Sequence, residues 1–385
     1  MLDPFSTEER EAFRDTIRRY VDDRLRPNAD EWDEAGEIPW AIHEEVGALG
    51  GYGFGVPEEL GGLGFDDCFM RAAYQEELAR AGAGGIAAAI NGRTISIDPI
   101  VRLASPDIPK RVVPEVVSGR KGSSLGITEP GGGSDVASMK TTARRDGNGW
   151  RLNGSKTFIT GGMTSDYFVV GARTGGEGLQ GISLFFVDAD TEGFTRQSLD
   201  RKMGWWCSDQ ATLFFDDAFV PAEALMGDVD HGFIAIMENF NLERVGLIAG
   251  SLGAMKAVYE DALAWAQDRV TFGKPLIKHQ VIRHKIADMS ARIDATEAYL
   301  NQICWQVNEA FENRAPMPVA EICKGKVFTT KNLEFVASEG MQIMGGAGYL
   351  RGNRIERIYR EVKVMAIGGG SEEIMRDLAV RQMGF

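Results

Sequence analysis

Apolar positions along this chain fall into three regimes. Up to about residue 118 they recur at helical spacing. Phe13, Ile17, Tyr20 and Val21 follow a Ser6–Glu9 capping box, and Ile42, Val46 and Leu49 mark a second, short helix. Helices are expected again over Phe69–Leu78, over the alanine-rich 84–104, and over 107–118. A glycine-rich stretch, 51–65, reads as a connector or as the lining of a ligand pocket. From Ser123 to about Gly227 the pattern shortens to β-rich runs. Trp150–Leu152 and Lys156–Ile159 flank Asn153-Gly154, the signal for a hairpin with a two-residue turn, and Tyr167–Ala172, Ile182–Val187 and Ala211–Val220 add strands. Strands without intervening helices imply an antiparallel barrel or sandwich, not a doubly wound sheet. Beyond Gly227 helical spacing returns in long runs, 231–268, 280–313 and 319–343, with a shorter helix from about 372, which predicts a four-helix bundle. The expected architecture is α+β in three domains: 1–122 all-α, 123–228 β and 229–385 helical.

One stretch of the first long helix carries a polar anomaly. Phe233, Ile236, Met237, Phe240, Leu247 and Ile248 form an apolar face, and Glu243 lies on it, three residues after Phe240 and four before Leu247. A carboxylate placed there needs a partner or a chemical task. On spacing alone, a helix-edge carboxylate paired with an arginine elsewhere in the bundle leads over catalysis.

Composition narrows the classes. The 385 residues are 44% hydrophobic and 25% charged, as in an ordinary soluble multidomain protein. A net charge of −14 weighs against nucleic acid binding but leaves room for a local basic site for an anionic ligand. Cys68, Cys207, Cys304 and Cys323 are scattered, which fits free thiols in a reducing, cytoplasmic setting. His43, His231, His279 and His284 lack metal-ligand spacing, so no metal is expected. No run approaches the roughly 18 apolar residues of a membrane span, and the acidic start MLDPFSTEER has no signal-peptide character.

The densest motif is Leu125–Asp135, LGITEPGGGSD. Pro130 and three consecutive glycines expose backbone N–H groups, and Thr128 and Ser134 add hydroxyls, a loop able to bond a flat heterocycle or a phosphate. It is not a dinucleotide fingerprint, since no βαβ unit surrounds it. Taken with Arg269–Lys274 followed by His279-Gln280, Gln342–Tyr349, and Arg360–Lys363 through Ser371–Ile374, this loop resembles the acyl-CoA dehydrogenase family. The four blocks stand in family order, and the resemblance covers essentially the whole chain.

The resemblance implies FAD, an acyl-CoA substrate, electron-transferring flavoprotein as acceptor, and a homotetramer built as a dimer of dimers. Leu125, Ile127, Thr128, Gly133 and Ser134 would bond the isoalloxazine edge, with Phe158, Ile159 and Thr160 beside it. Many relatives carry Trp where this chain has Phe158, so an indole N–H is lost. Arg269 would reach the pyrophosphate of a neighbouring subunit's FAD, with Phe272 and Gln280 along the same cofactor. Gln342, Ile343, Gly345 and Gly346 would allow close backbone approach, and Ser371 and Glu373 match further contact positions, the latter often Gln in relatives. Ser134, Asn241, Arg244, Gly369 and Gly370 fall at acyl-CoA positions.

The implied reaction is α,β-dehydrogenation of the thioester to a trans-2-enoyl-CoA, which requires a base at the α-carbon and donors for the thioester oxygen. Many relatives carry that base as a Glu in the tail, where this chain has Gly369; Glu372 and Glu373 are offset by three and four residues. A subset that includes isovaleryl-CoA and long-chain acyl-CoA dehydrogenases places it on the first helix of the bundle in a Leu-Glu-Arg pattern, matched here by Leu242-Glu243-Arg244. The resemblance therefore makes Glu243 the expected base, in fatty or branched acyl-CoA catabolism. Two alternatives stay open: an O2-using flavin oxidase or monooxygenase of the same fold, and a non-catalytic relative that binds nucleic acid.

Overall fold

A computed structural model describes residues 4–385. Seven helices open the chain: α1 (Glu8–Tyr20), α2 (Ala29–Ala35), α3 (Ala41–Ala48), α4 (Cys68–Ala79), α5 (Gly84–Asn91), α6 (Ile97–Leu103) and α7 (Asp107–Val117). The cap of α1 lies one residue later than expected. Thr7 Oγ1 accepts from Arg10 N at 3.2 Å, while Ser6 donates to Glu11 at 2.8 Å. The alanine-rich stretch is two helices rather than one. Pro99 is tolerated only in a first turn, and α6 starts two residues before it. Gly92 ends α5 where a side chain would run into Thr160, 2.6 Å from its Cβ position.

The middle of the chain is one eight-stranded sheet: β1 (Ser123–Gly126), β2 (Thr142–Asp146), β3 (Gly149–Thr160), β4 (Tyr167–Arg173), β5 (Ile182–Asp188), β6 (Phe194–Ser198), β7 (Gln210–Pro221) and β8 (Leu225–Met226). Its order is β6-β7-β3-β2-β4-β5-β8, with β1 beside β4. Most pairs are antiparallel, but β1 and β2 each run parallel to β4. The expected hairpin at Asn153-Gly154 does not form, because β3 continues through it. The turn is Gly147-Asn148, closing Asp146 against Gly149, with Gly147 at φ +55. Gly154 instead marks a register shift against β7; its φ is +143 and Thr141 packs 2.6 Å from its Cβ position.

The remainder is helical apart from the short ribbon β9 (Val270–Thr271) and β10 (Lys274–Pro275). α8 (Gly232–Asp268), α9 (Gln280–Asn313), α10 (Val319–Met344) and α12 (Glu372–Gln382) match the expected bundle. A further helix, α11 (Arg354–Ile367), was not expected. Asn353 caps it by accepting from Glu356 N at 2.8 Å. Its apolar stripe, Ile355, Ile358, Val362 and Ala366, is interleaved with charges that are themselves buried or half-buried because each has a partner. Arg354 bonds Asp261 at 2.6 Å, Arg357 bonds Asp30 at 2.8 Å, and Arg360 bonds Asp33. Buried ion pairs hid the amphipathic period.

α4 and α11 both pack on α8, so α8 joins the N-terminal helices to the bundle. All four cysteines are buried and free. Among the described residues no helix is long and apolar enough to cross a membrane, and no cluster of side chains could hold a metal.

Candidate active site

A cavity of about 350 Å³ opens between α4, α5, α8 and α11. The glycine-rich loop supplies Tyr52 and Phe54 to it, so that loop is lining and not merely a connector. Gln75 of α4 and Asn91 of α5 bond each other in its wall as a reciprocal amide pair, at 3.1 and 2.6 Å. On α8, Gly246 and Gly250 leave room one and two turns beyond Glu243.

Glu243 lines this cavity. Its Oε2 is buried without a hydrogen-bond partner, and it forms no ion pair among the described residues. Burial pushes its carboxyl up to about 7, against the opposing pull of Arg244 and Lys326. Arg244 does not pair with it. Its Nε donates to Gly369 O at 3.0 Å, and its Nη1 to Asn241 Oδ1 at 3.3 Å. The structural alternative for Glu243, a helix-edge salt bridge, therefore has no partner to rest on.

Two buried cations hold the glycine segment after α11. Arg244 takes the Gly369 carbonyl, and Lys326 Nζ donates to Gly370 O at 2.7 Å and Ala366 O at 3.3 Å. Burial lowers Lys326 to about 8. Gly369 has φ +66, and its Cβ position lies 2.4 Å from Leu247 Cδ1; a side chain there would be strained and would collide with α8. Gly370 is at φ +100 with Met375 in its Cβ space. Glu372 points to α10, bonding Thr330 at 3.2 Å and Lys331 at 3.1 Å, and Glu373 is exposed. Neither lines the cavity. Ser371 caps α12, accepting from Ile374 N at 3.5 Å.

Of the catalytic, cofactor and substrate positions named from sequence, only Glu243 and Thr160 line the cavity itself. Asn241 is buried against Arg244, and Ser134 is exposed on its loop. The 125–134 loop and the 158–160 segment are tied together by Thr157 N donating to Thr128 O at 2.8 Å. Beneath them Lys156, fully buried, bonds Glu129 Oε1 at 2.8 Å and Ile127 O at 3.2 Å, while Glu129 accepts from Lys140 N and Thr141 N. This pair fixes the loop, and motif reading did not single it out. Thr160 accepts from Gln210 Nε2 at 2.8 Å, which leaves its own O–H free to donate. Ile127, Ile159 and Ile343 are core residues, so only their backbones can meet a ligand.

The remaining named positions present unfilled surface. Phe158 is 68% and Phe272 97% exposed, and Arg269 has no ion pair among the described residues. Gln280 is exposed at the start of α9, and Gln342 is exposed at the end of α10. A Cβ added at Gly131, Gly345 or Gly346 meets nothing within 4 Å, so these glycines are open to close approach; Gly133 is exposed beside them, and Leu125 is half-buried. Exposed aromatics, an unpaired guanidinium and open glycine backbone fit an aromatic dinucleotide such as FAD.

Three family models match in chain order: the N-terminal domain of acyl-CoA dehydrogenase over residues 7–120, its middle domain over 124–218 and its C-terminal domain over 230–384. The chain belongs to the acyl-CoA dehydrogenase family. It is 32% identical over 378 residues to the mitochondrial long-chain specific acyl-CoA dehydrogenase of Sus scrofa, covering 97% of this chain and 86% of that one. A probable acyl-CoA dehydrogenase of Mycobacterium abscessus superposes with a TM-score of 0.93 at 37% identity, over 98% of this chain and all of that one. A glutaryl-CoA dehydrogenase of Mycobacterium smegmatis in complex with FADH2 superposes with a TM-score of 0.92 at 27% identity, over 98% and 95% of the two chains. As a member of this family the protein is an oxidoreductase, and the family is FAD-dependent.

Proposed function

We propose that the protein dehydrogenates an acyl-CoA at Cα–Cβ with Glu243 as base, yielding the trans-2-enoyl thioester, and that electron-transferring flavoprotein reoxidises it. The observation that carries this reading is the buried, unpartnered Oε2 of Glu243 in the cavity, on a chain whose tail holds Gly369 where many relatives hold a carboxylate. FAD would be held by the 125–134 and 158–160 segments of one protomer and by Arg269, Phe272, Gln280 and 342–346 of a neighbour, and would supply the acceptor for the β-hydrogen, which leaves as hydride. Every other task falls to this chain's own groups.

Glu243 takes the α-proton. A carboxyl held near 7 by burial is ionised in about half the molecules at neutral pH, and its affinity for a proton exceeds that of an ordinary carboxylate. Arg244 and Lys326 fix the glycine segment by its carbonyls. Because the peptide unit is planar, pinning Gly369 C=O turns the Gly370 N–H the opposite way. The segment thus offers rigid backbone donors to the thioester oxygen as negative charge develops there. Tyr52, Phe54 and the small residues of α8 exclude water around the chain of the substrate, which strengthens both interactions.

The shared contribution of Arg269 and Phe272 requires at least a dimer, and the homotetramer is the assembly we propose. Cytoplasmic residence is likewise proposed. Anaerobic addition of straight, branched and terpenoid acyl-CoAs to the yellow holoprotein tests the reading: at least one class bleaches the flavin, with slow return of colour in air. No bleaching by any acyl-CoA would contradict dehydrogenation, and immediate reoxidation by O2 would favour an oxidase.

A further inference from the structure

Glu361 of α11 is another carboxylate of the cavity lining, and unlike Glu243 it has partners for both of its oxygens. Oε2 accepts from Gly84 N at 2.7 Å, and Oε1 accepts from Trp205 N at 2.8 Å. Gly84 is the first residue of α5, and Ala83 before it supplies no side-chain cap, so the carboxylate of a helix in another domain caps α5. Trp205 belongs to the loop between β6 and β7, so one carboxylate joins all three domains.

Glu361 does not act alone on this turn. The Arg80–Gly84 link joins α4 to α5, the two helices that hold the amide pair in the cavity wall. Arg354 Nη1 donates to Arg80 O at 2.9 Å, and Arg357 Nε donates to Gly82 O at 3.0 Å. Gly82 has φ +74 and lies so close to Arg354 that a Cβ would fall 1.8 Å from its Cγ. Three side chains of α11 therefore hold the end of α4, the turn and the start of α5 by their backbone atoms. The same helix turns Ile358, Val362 and Met365 into the cavity and runs directly into the glycine segment held by Arg244 and Lys326.

We infer that Glu361 is a positioning residue that sets the separation of α5 from α8, and so determines which acyl chains reach the depth of the cavity. The inference rests on the acyl-CoA reading above. Shorter acyl groups, held near Glu243, depend on this wall less than groups long or bulky enough to meet Gln75 and Asn91.

Glu361→Gln is the test. It keeps size but replaces one acceptor by an NH2 group, so either Gly84 N–H or Trp205 N–H loses its partner. The readout is the ratio of kcat/KM for a long or ring-bearing acyl-CoA to that for butyryl-CoA, with FAD absorbance and melting temperature recorded alongside. The expected ratio changes about tenfold, the scale of one charge-assisted hydrogen bond, through KM for the larger substrate. Glu361→Asp, which keeps two acceptor oxygens on a shorter stem, should fall between wild type and E361Q. An equal loss on every substrate, no change in the ratio, or loss of FAD from both variants would each overturn the inference by making Glu361 a general determinant of the fold. Failure of the wild type to react with any acyl-CoA would instead strike the underlying reading.

Discussion

Glu243 and Glu361 line one cavity and are both raised to about 7 by burial, yet only Glu361 has partners for both oxygens. The raised pKa of Glu243 predicts a measurable pH dependence of stability. The Glu243 carboxyl has a higher pKa folded than unfolded, so its contribution to stability is fully present below pH about 4.5 and is lost as pH rises through about 7. Glu243→Gln removes this dependence. Its melting temperature should gain on wild type between pH 5 and 8, by an amount corresponding to at most about 3 kcal/mol. The rate of flavin reduction in the wild type should follow the ionised form of the base, falling about tenfold per pH unit below 7. At the neighbouring Gly369, Ala would meet both a positive φ and Leu247. Gly369→Ala should lower stability by about 1–3 kcal/mol in chemical denaturation. Spacing alone could place Glu243 on an apolar face, but it could not tell whether Arg244 reaches it; the arginine turns to Gly369, more than a hundred residues away in sequence.

At the scale of elements, the long helices of the bundle were readable because their apolar faces pack on apolar faces. α11 was not, since Arg354 and Arg357 are buried, and Arg360 half-buried, in ion pairs formed with distant segments. Its one local signal was Asn353 three residues before Glu356, a capping pattern. Asn153-Gly154 misled in the opposite sense: the dipeptide suits a turn, but the long pairing of β3 with β7 carried the strand through it as a bulge. The glycine-rich 125–135 motif was visible in the sequence, whereas its support was not, because Lys156 lies in β3, beyond the next strand, and only the fold brings it to Glu129. Lys156→Met should leave the Glu129 carboxylate buried without its cation. The expected cost is about 3–5 kcal/mol of stability, with weaker FAD retention on dilution measured by flavin fluorescence.

At the scale of the whole molecule, Phe272, Tyr349 and Leu350 are exposed apolar side chains on loops that also carry, or adjoin, expected cofactor positions. The proposed assembly covers them. Light scattering should give the mass of four copies of the 42.1 kDa chain, and Phe272→Asp should shift that mass downward and release FAD together. The central claim is narrower than the assembly: one unpartnered carboxylate on α8 does the work for which many relatives use the tail. Anaerobic stopped-flow reduction of the Glu243→Gln holoprotein, with the acyl-CoA that best bleaches the wild type, tests it most directly. The account predicts that FAD remains bound and that its reduction slows by about a thousandfold or more. Reduction at the wild-type rate would contradict it and return the search for the base to other groups.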